Sequence, residues 1–183
     1  MTEKLKDIEL FDLHALPCEM KDELISGISK FTYTLLNTEK QIIPMNRDQV
    51  LAKHVAKVAL AGREELAGFA GALNVGQHRL LKMSKVGSLF VLPDFTGQGL
   101  GLQLINEVTK EVLDQNRYPF AFCNPSVEHL FHAASYIPAR QTEIPDDQVS
   151  HFPHRNRPWI YYNGVPSYMY PIWMKKPYAQ AEF

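Results

Sequence analysis

The sequence predicts an α/β fold in which a mixed, mostly antiparallel central sheet is flanked by helices, and three observations lead there. Two helical patterns precede a strand hairpin; a strand runs through a glycine-rich turn into an amphipathic helix at about 86–112; and a second strand-to-helix unit follows at about 119–134. The chain has 183 residues, 45% of them hydrophobic, which suits one domain over 1–183 with a sizeable core.

Taken in order, Ile8-Glu9-Leu10-Phe11 has the character of a short first strand. Pro17 then opens a segment in which Met20, Leu24, Ile28, Phe31 and Leu35 recur at helical spacing, giving one apolar stripe. Asn46 is placed to cap a shorter helix, with Gln49 at the capping-box position and Val50, Leu51 and Val55 as its apolar contacts. Lys57 to Ala61 and Leu66 to Val75 read as two strands joined by the charged turn Gly62-Arg63-Glu64-Glu65, an antiparallel hairpin. Val86 to Leu92 is the next strand, closed by Pro93, and beyond Gly99 the residues Leu100, Leu104, Ile105, Val108 and Val112 share one helical face. Pro119 to Cys123 is a short apolar strand, and a helix carrying Val127, Leu130, Phe131 and Ala134 follows Pro125. From Ile137 to Pro158 the chain reads as a long loop rich in Pro, His, Asp and Gln. A terminal hairpin is expected after it, with Trp159 to Tyr162, the turn Asn163-Gly164, and Tyr168 to Met174, so that loop and hairpin together span about 137–175.

Composition narrows the function classes. Nineteen Lys and Arg against twenty Asp and Glu give a net charge of -1, so there is no general basic field for a nucleic-acid backbone. Cys18 and Cys123 are far apart and lack companions at metal-ligand spacing, which argues against a disulfide framework or a zinc site and favours a cytoplasmic setting. Neither a signal-peptide core near the N-terminus nor a membrane span is evident. His151 and His154 in the Pro-rich loop lack further spaced ligands, so no metal is expected.

The informative stretch is Leu89-Phe90-Val91-Leu92-Pro93-Asp94-Phe95-Thr96-Gly97-Gln98-Gly99-Leu100-Gly101, where three glycines alternate between a strand and a helix. The first amides of a helix lack intrahelical acceptors and its dipole adds partial positive charge, so a pyrophosphate can be held there without Lys or Arg. No acidic residue lies between Gly97 and Asn106; Glu107 stands about two turns into the helix. A dinucleotide fingerprint would need a glycine where Leu102 stands, and a P-loop would need Gly-Lys-Ser/Thr; both fit poorly. A turn that only packs a helix on a sheet is the structural alternative.

Here the sequence resembles the GNAT superfamily, the acetyl-CoA-dependent N-acetyltransferases. Val91-Leu92-Pro93 followed by Gly97-Gln98-Gly99-Leu100-Gly101 is similar to its acyl-CoA pyrophosphate motif, Arg/Gln-x-x-Gly-x-Gly/Ala, with Thr96 at the Arg/Gln position. Asn124 to Tyr136 resembles the family's Asn-x-x-Ala-x-x-Leu-Tyr-x-x-x-Gly-Phe stretch after the next strand. The resemblance covers roughly residues 5–145.

It implies the GNAT fold, with two splayed central strands and a pantetheine arm between them, and acetyl-CoA or CoA as the bound co-substrate, with no metal. It further implies that the Leu89 N–H polarises the thioester carbonyl and stabilises its oxyanion, that Val91 bonds the pantetheine, and that Thr96, Gly97, Gln98, Gly99, Leu100 and Gly101 form the pyrophosphate site. Asn124 is a candidate pantetheine contact, and Ser88 could order a water beside the incoming amine. Where family members often carry an acid tyrosine, this chain has Phe131, which cannot donate a proton. Tyr136 matches the family's terminal Phe and is expected to pack. Glu128, His129 and His132 serve as a base only if their helix turns them toward the cleft; otherwise the two histidines form a surface pair. Tyr161 and Tyr162 are candidate acceptor contacts, since the loop and terminal hairpin lie where the family often shapes its acceptor pocket.

The function expected is therefore transfer of an acetyl group from acetyl-CoA to a primary amine by direct attack. The acceptor is a small molecule or a peptide, with no nucleic-acid or membrane partner, and a homodimer remains open as the assembly. An acyl-CoA-binding sensor or scaffold without turnover is the first alternative, and an interaction domain without a cofactor is the second.

Overall fold

The computed structural model describes residues 7–38, 44–78, 81–123, 127–138 and 170–174. Strand β1 (Ile8–Asp12) leads into helix α1 (Cys18–Thr38) and the single-turn helix α2 (Arg47–Leu51). Strands β2 (Val55–Ala61), β3 (Glu65–His78) and β4 (Leu81–Val91) follow, then helix α3 (Leu100–Asp114), strand β5 (Tyr118–Cys123), helix α4 (Glu128–Ala133) and strands β6 (Tyr136–Pro138) and β7 (Tyr170–Met174). The sheet has the order β1-β2-β3-β4-β5-β7-β6. Every neighbouring pair is antiparallel except β4 and β5, so the mixed, mostly antiparallel α/β fold is as the sequence predicts.

Two elements differ from expectation. The strand expected from Val86 begins five residues earlier, at Leu81, because β3 runs on to His78 and pairs with it down to His78↔Leu81; the polar residues Lys82, Ser84 and Lys85 mask that pattern in the sequence. Tyr136–Pro138, partly assigned to a loop, is a strand because it pairs with Met174–Ile172 of β7. Tyr170–Met174 is inserted between β5 and β6. The expected partner arm of the terminal hairpin, Trp159 to Tyr162, lies outside the described residues.

Each face of the sheet has its own core. On one face α3 buries Leu100, Leu104, Ile105, Val108 and Val112 against Val55, Ala59, Ala70, Ala72, Val86 and Ala121, with Phe131 of α4 beside them. On the other face Leu24, Ile25 and Ile28 of α1 and Val50 of α2 cover Val58, Leu60, Phe69 and Phe90. Asn46 caps α2 as its spacing predicts: its side chain accepts from the Gln49 N–H at 2.9 Å and the Gln49 side chain accepts from the Asn46 N–H at 2.9 Å. The run of Ala and Gly in β3 lets α3 approach closely. A Cβ on Gly68 would lie 2.9 Å from the Phe90 carbonyl and 3.1 Å from Leu104 Cδ1.

At the lower ends of β3, β4 and β5 a polar clasp fixes their separation. Arg117 Nε donates to Ser84 Oγ at 2.6 Å and its Nη2 donates to the Met83 carbonyl at 2.7 Å and to Asn74 Oδ1. His54 Nε2 meets the same Ser84 hydroxyl at 3.1 Å. This end of the β4–β5 pair is therefore held closed, which matters for what happens at the other end.

Because backbone rather than a flexible side chain opposes the added methyl, Gly68→Ala is expected to lower unfolding free energy by about 1–3 kcal/mol, measured by urea denaturation. An unchanged midpoint would show that β3 and α3 can separate without cost.

Candidate functional site

The site begins with one residue that the sheet cannot match. Gly87 of β4 faces Gly71 of β3 and Phe90 faces Phe69, so three steps along β4 oppose two along β3 and one residue is left over. Ser88 absorbs it with φ +58°, a left-handed conformation that costs a non-glycine residue of order 1–3 kcal/mol. The bulge also resets the alternation: Val86 and Leu89, three apart, both face the α3 core, while Phe90 faces α1.

On the other edge of β4, pairing with β5 runs only from Met83↔Tyr118 to Val86↔Ala121 and stops where the bulge begins. Above that point β4 stays with β3, through Phe90↔Phe69 and Val91↔Gly68, and β5 stays with β7, through Phe122↔Pro171 and Cys123↔Tyr170. The two central strands thus part, and the β5-facing edge of Leu89, Phe90 and Val91 has no strand partner among the described residues. Ser88 and Leu89 have no partner in the β3 register either.

Directly after this open edge comes the glycine segment. Leu92 N–H donates to Ala67 O at 2.8 Å, and a 3-10 turn over Pro93–Phe95 is closed by Phe95 N–H to Leu92 O at 2.9 Å. Thr96 donates from both its amide and its hydroxyl to the Pro93 carbonyl, at 3.2 and 2.8 Å, so its side chain finishes the turn. Gly97 at φ +76° and Gly99 at φ +75° then take left-handed conformations, and a Cβ on either would meet nothing within 4 Å. Gly99 is the N-cap of α3, whose first turn contains no acid. Among the described residues the amides of Gly97, Gln98, Gly99, Leu100 and Gly101 donate no hydrogen bond.

The other predicted residues fall into place unevenly. Leu100 is buried in the core and offers only its amide. Gly101 has a packing reason as well, since a Cβ there would lie 3.3 Å from Leu130 Cδ1. Gln98 is exposed, its amide nitrogen 3.5 Å from the Asp94 carbonyl. Leu89 and Val91 pack their side chains against the α3 core, so their contribution to an open edge is main chain. Asn124, Tyr161 and Tyr162 lie outside the described residues. What the sequence reading missed is the bulge itself, although Gly87-Ser88 inside an otherwise apolar strand is a signal for one.

Candidate acid and base groups are sparse here. Phe131 is buried and meets Tyr136 edge-on, ring centroids 5.2 Å apart. Tyr136 is fully enclosed and shares a 2.8 Å hydrogen bond with Thr109, and burial pushes its phenol above the ordinary range, which makes it a packing residue. His129 is exposed. His132 is committed elsewhere: Nε2 lies 2.8 Å from Glu128 Oε1 and Nδ1 3.0 Å from the Tyr136 carbonyl. Among the described residues no three His, Cys, Asp or Glu side chains gather to hold a metal, and no helix is long and apolar enough to cross a membrane.

The hydrogen bonds that the His132 ring donates to Glu128 and to the Tyr136 carbonyl raise its pKa above 6.5. Its stabilising contribution is therefore complete below the ordinary histidine value and is lost as pH rises through the raised one. In NMR titrations His132 is expected to titrate above a free histidine, and Glu128→Gln should bring it back down; an unshifted His132 would free it for other chemistry.

Comparison with known proteins agrees with this geometry. The profile of the acetyltransferase (GNAT) family matches residues 28–134. Among solved structures, a GNAT-family acetyltransferase from Staphylococcus aureus Mu50 superposes with a TM-score of 0.61 at 14% identity, covering 93% of this chain and 100% of that one. N-acetylglutamate synthase from Neisseria gonorrhoeae, complexed with coenzyme A and N-acetyl-glutamate, gives 0.65 at 14% identity over 93% of this chain, which spans only 35% of that protein. Tetrahymena GCN5 gives 0.59 at 13% identity, with 92% and 94% covered. No curated protein matches in a sequence comparison. These neighbours establish the fold, and the profile match over more than half of its length shows that the chain belongs to the acetyltransferase (GNAT) family.

Proposed function

We propose that this protein transfers an acetyl group from acetyl-CoA to a primary amine by direct attack within a ternary complex. The observation that carries this reading is the bulge at Ser88 with the β4–β5 pairing ending at Val86, set immediately before a loop of unbonded amides at the start of α3.

A CoA moiety fits the residues present. The left-handed glycines leave open space where side chains would stand, so phosphate oxygens can approach the amides of Gly97 to Gly101. Helix α3 adds its dipole, worth about 0.3–1 kcal/mol per anionic group near a helix end. The β5-facing edge of Leu89 and Val91 supplies main-chain groups for the amides of a pantetheine arm. Acetyl-CoA supplies the thioester; the protein's part is to hold it and to place a donor, the Leu89 N–H, against the carbonyl oxygen as charge develops there. Aligning the amine with that carbonyl contributes the rest of the acceleration.

Proton transfer is the least equipped step. An amine acceptor must lose a proton before it attacks, and we assign Ser88 to ordering the water that receives it. With Phe131 enclosed in the core and no side-chain acid supplied in its place among the described residues, the CoA thiolate leaves unassisted, which its ordinary pKa of about 8.5 permits. The same enclosed Phe131 supports a second reading, an acyl-CoA-binding sensor that does not turn over. A cytoplasmic setting suits either.

Calorimetry and thermal shift with CoA and acetyl-CoA, against ATP and NAD as controls, are expected to show a selective CoA response. At one hundred times the dissociation constant that is about 2.7 kcal/mol of added stability. Gly99→Glu places a side chain in a left-handed position and a negative charge among the phosphate donors, and should abolish the response in a folded protein; undiminished affinity would refute the pyrophosphate assignment. Thiol release across an amine panel then separates enzyme from sensor. Release with at least one amine is expected, and CoA binding without release from any amine would favour the sensor.

A further inference from the structure

On the face of the sheet away from α3, one lysine is built into the fold without a counter-charge among the described residues. Lys53 follows α2 directly. Its N–H donates to the Val50 carbonyl at 3.2 Å, and its own carbonyl accepts from His14 Nε2 at 2.6 Å, so its backbone is held from two sides. From there its stem crosses Gly71 of β3. A Cβ at Gly71 would lie 3.1 Å from Lys53 Cγ and 3.3 Å from Cδ, so the glycine is what makes room for the lysine.

Gly71 is paired with Gly87 of β4, the residue just before the bulge, and a Cβ on Gly87 would meet nothing within 4 Å. Phe69, two residues from Gly71, faces α1, whereas Ala70 and Ala72 face α3, so the Gly71–Gly87 pair belongs to the α1–α2 side. The Lys53 stem covers Gly71, and Gly87 is left open beside the place where β4 and β5 part. Lys85, on the same face because its neighbour Val86 is in the α3 core, lies close enough for its charge to be felt at Lys53.

Lys53 is only 7% exposed, and its ammonium has no hydrogen bond or ion pair among the described residues. Burial first, and repulsion from Lys85 second, lower its pKa to about 8, which leaves it mostly protonated at neutral pH. A largely desolvated ammonium with no partner among the described residues carries a cost that a methionine or leucine in the same space would not. An enclosed, positioned cation without a partner among the described residues, beside the place where β4 and β5 part, is explained if an anion arrives with the substrate.

We propose that Lys53 binds an anionic group on the acceptor, so that the acceptor is a small amine carrying a carboxylate. This deepens the transferase reading and rests on it. The open space over Gly87 is where such a molecule lies, its carboxylate at the Lys53 ammonium and its amine toward the thioester position beside Ser88. A carboxylate within hydrogen-bond reach of a largely desolvated ammonium forms a charge-assisted bond; an amide in the same place leaves the charge uncompensated.

The test compares amino acids with their amides, using glycine, alanine and glutamate against the corresponding α-amides, by thiol release. The acids are expected to be favoured at least tenfold in kcat/KM, and Lys53→Met should erase that preference mainly by raising KM for the acids, with Lys53→Arg restoring part of it. Equal use of acids and amides, or a preference that survives Lys53→Met, would overturn the proposal. A readout independent of turnover is the Lys53 13Cε resonance in the CoA-saturated protein: it should move on adding N-acetylglycine or N-acetylalanine and stay still on adding their amides, and no movement with any of them counts against it. Lys53→Met should retain CoA affinity and an unchanged or raised urea midpoint, whereas a lowered midpoint would make the lysine structural. Failure of the CoA response in the unmodified protein sinks the transferase reading; a CoA response without acid preference sinks only this one.

Discussion

A parallel strand pair in a sheet is normally bonded along its whole length, because each unpaired N–H and C=O in the interior costs about as much as a lost hydrogen bond. Here β4 and β5 are bonded over four residues and then separate, and the separation depends on one extra residue at Ser88. The bulge keeps β4 aligned with β3 while turning its other edge away from β5, whose upper half is retained by β7. Main-chain groups that would have been consumed by the sheet are left without a strand partner among the described residues, inside an otherwise apolar framework. The strain of a left-handed serine is the local cost, and it is carried by the cores on both faces.

Those cores also explain why the lower half of the pair does not follow. Arg117 bridges Ser84, Met83 and Asn74, so three strands are tied at one end. On the α3 side, small residues in β2 and β3 and the close approach at Gly68 set how near the helix lies, and this in turn fixes where its N-terminus sits relative to the open edge of β4. The glycine loop joins the two features in a handful of residues. A thiol ester with a phosphate-bearing handle, the ligand of the proposed function, suits such a layout, since backbone groups are available at both places for its carbonyl and its charged end.

Among the described residues, the ionisable groups near the open edge of β4 are mostly engaged elsewhere. Phe131 and Tyr136 are bound into the core beneath α4, and His132 is held by Glu128 and a carbonyl. Lys53, strongly perturbed and without a partner among the described residues, lies across the sheet from α3, its stem over Gly71, whose partner Gly87 adjoins the bulge. The bulge thus has unlike surroundings: amides that donate no hydrogen bond among the described residues at the start of α3, and an enclosed cation on the α1–α2 side.

By itself the sequence determined whatever depends on residues near one another along the chain. The apolar stripes at Leu24 and Ile28 and at Leu104, Ile105, Val108 and Val112 are helix-period patterns, and they bury as the spacing requires. The Asn46–Gln49 cap and the left-handed glycines at 97 and 99 are likewise local, because a turn of given geometry admits few residue types. Tertiary structure decided the rest. Tyr136–Pro138 became a strand only because β7, more than thirty residues later, pairs with it, and β4 extends to Leu81 only because β3 continues beside it. The parting of β4 from β5 and the burial of Lys53 over Gly71 have the same origin: each is set by which distant segment occupies the neighbouring space, a long-range constraint that no window of sequence contains.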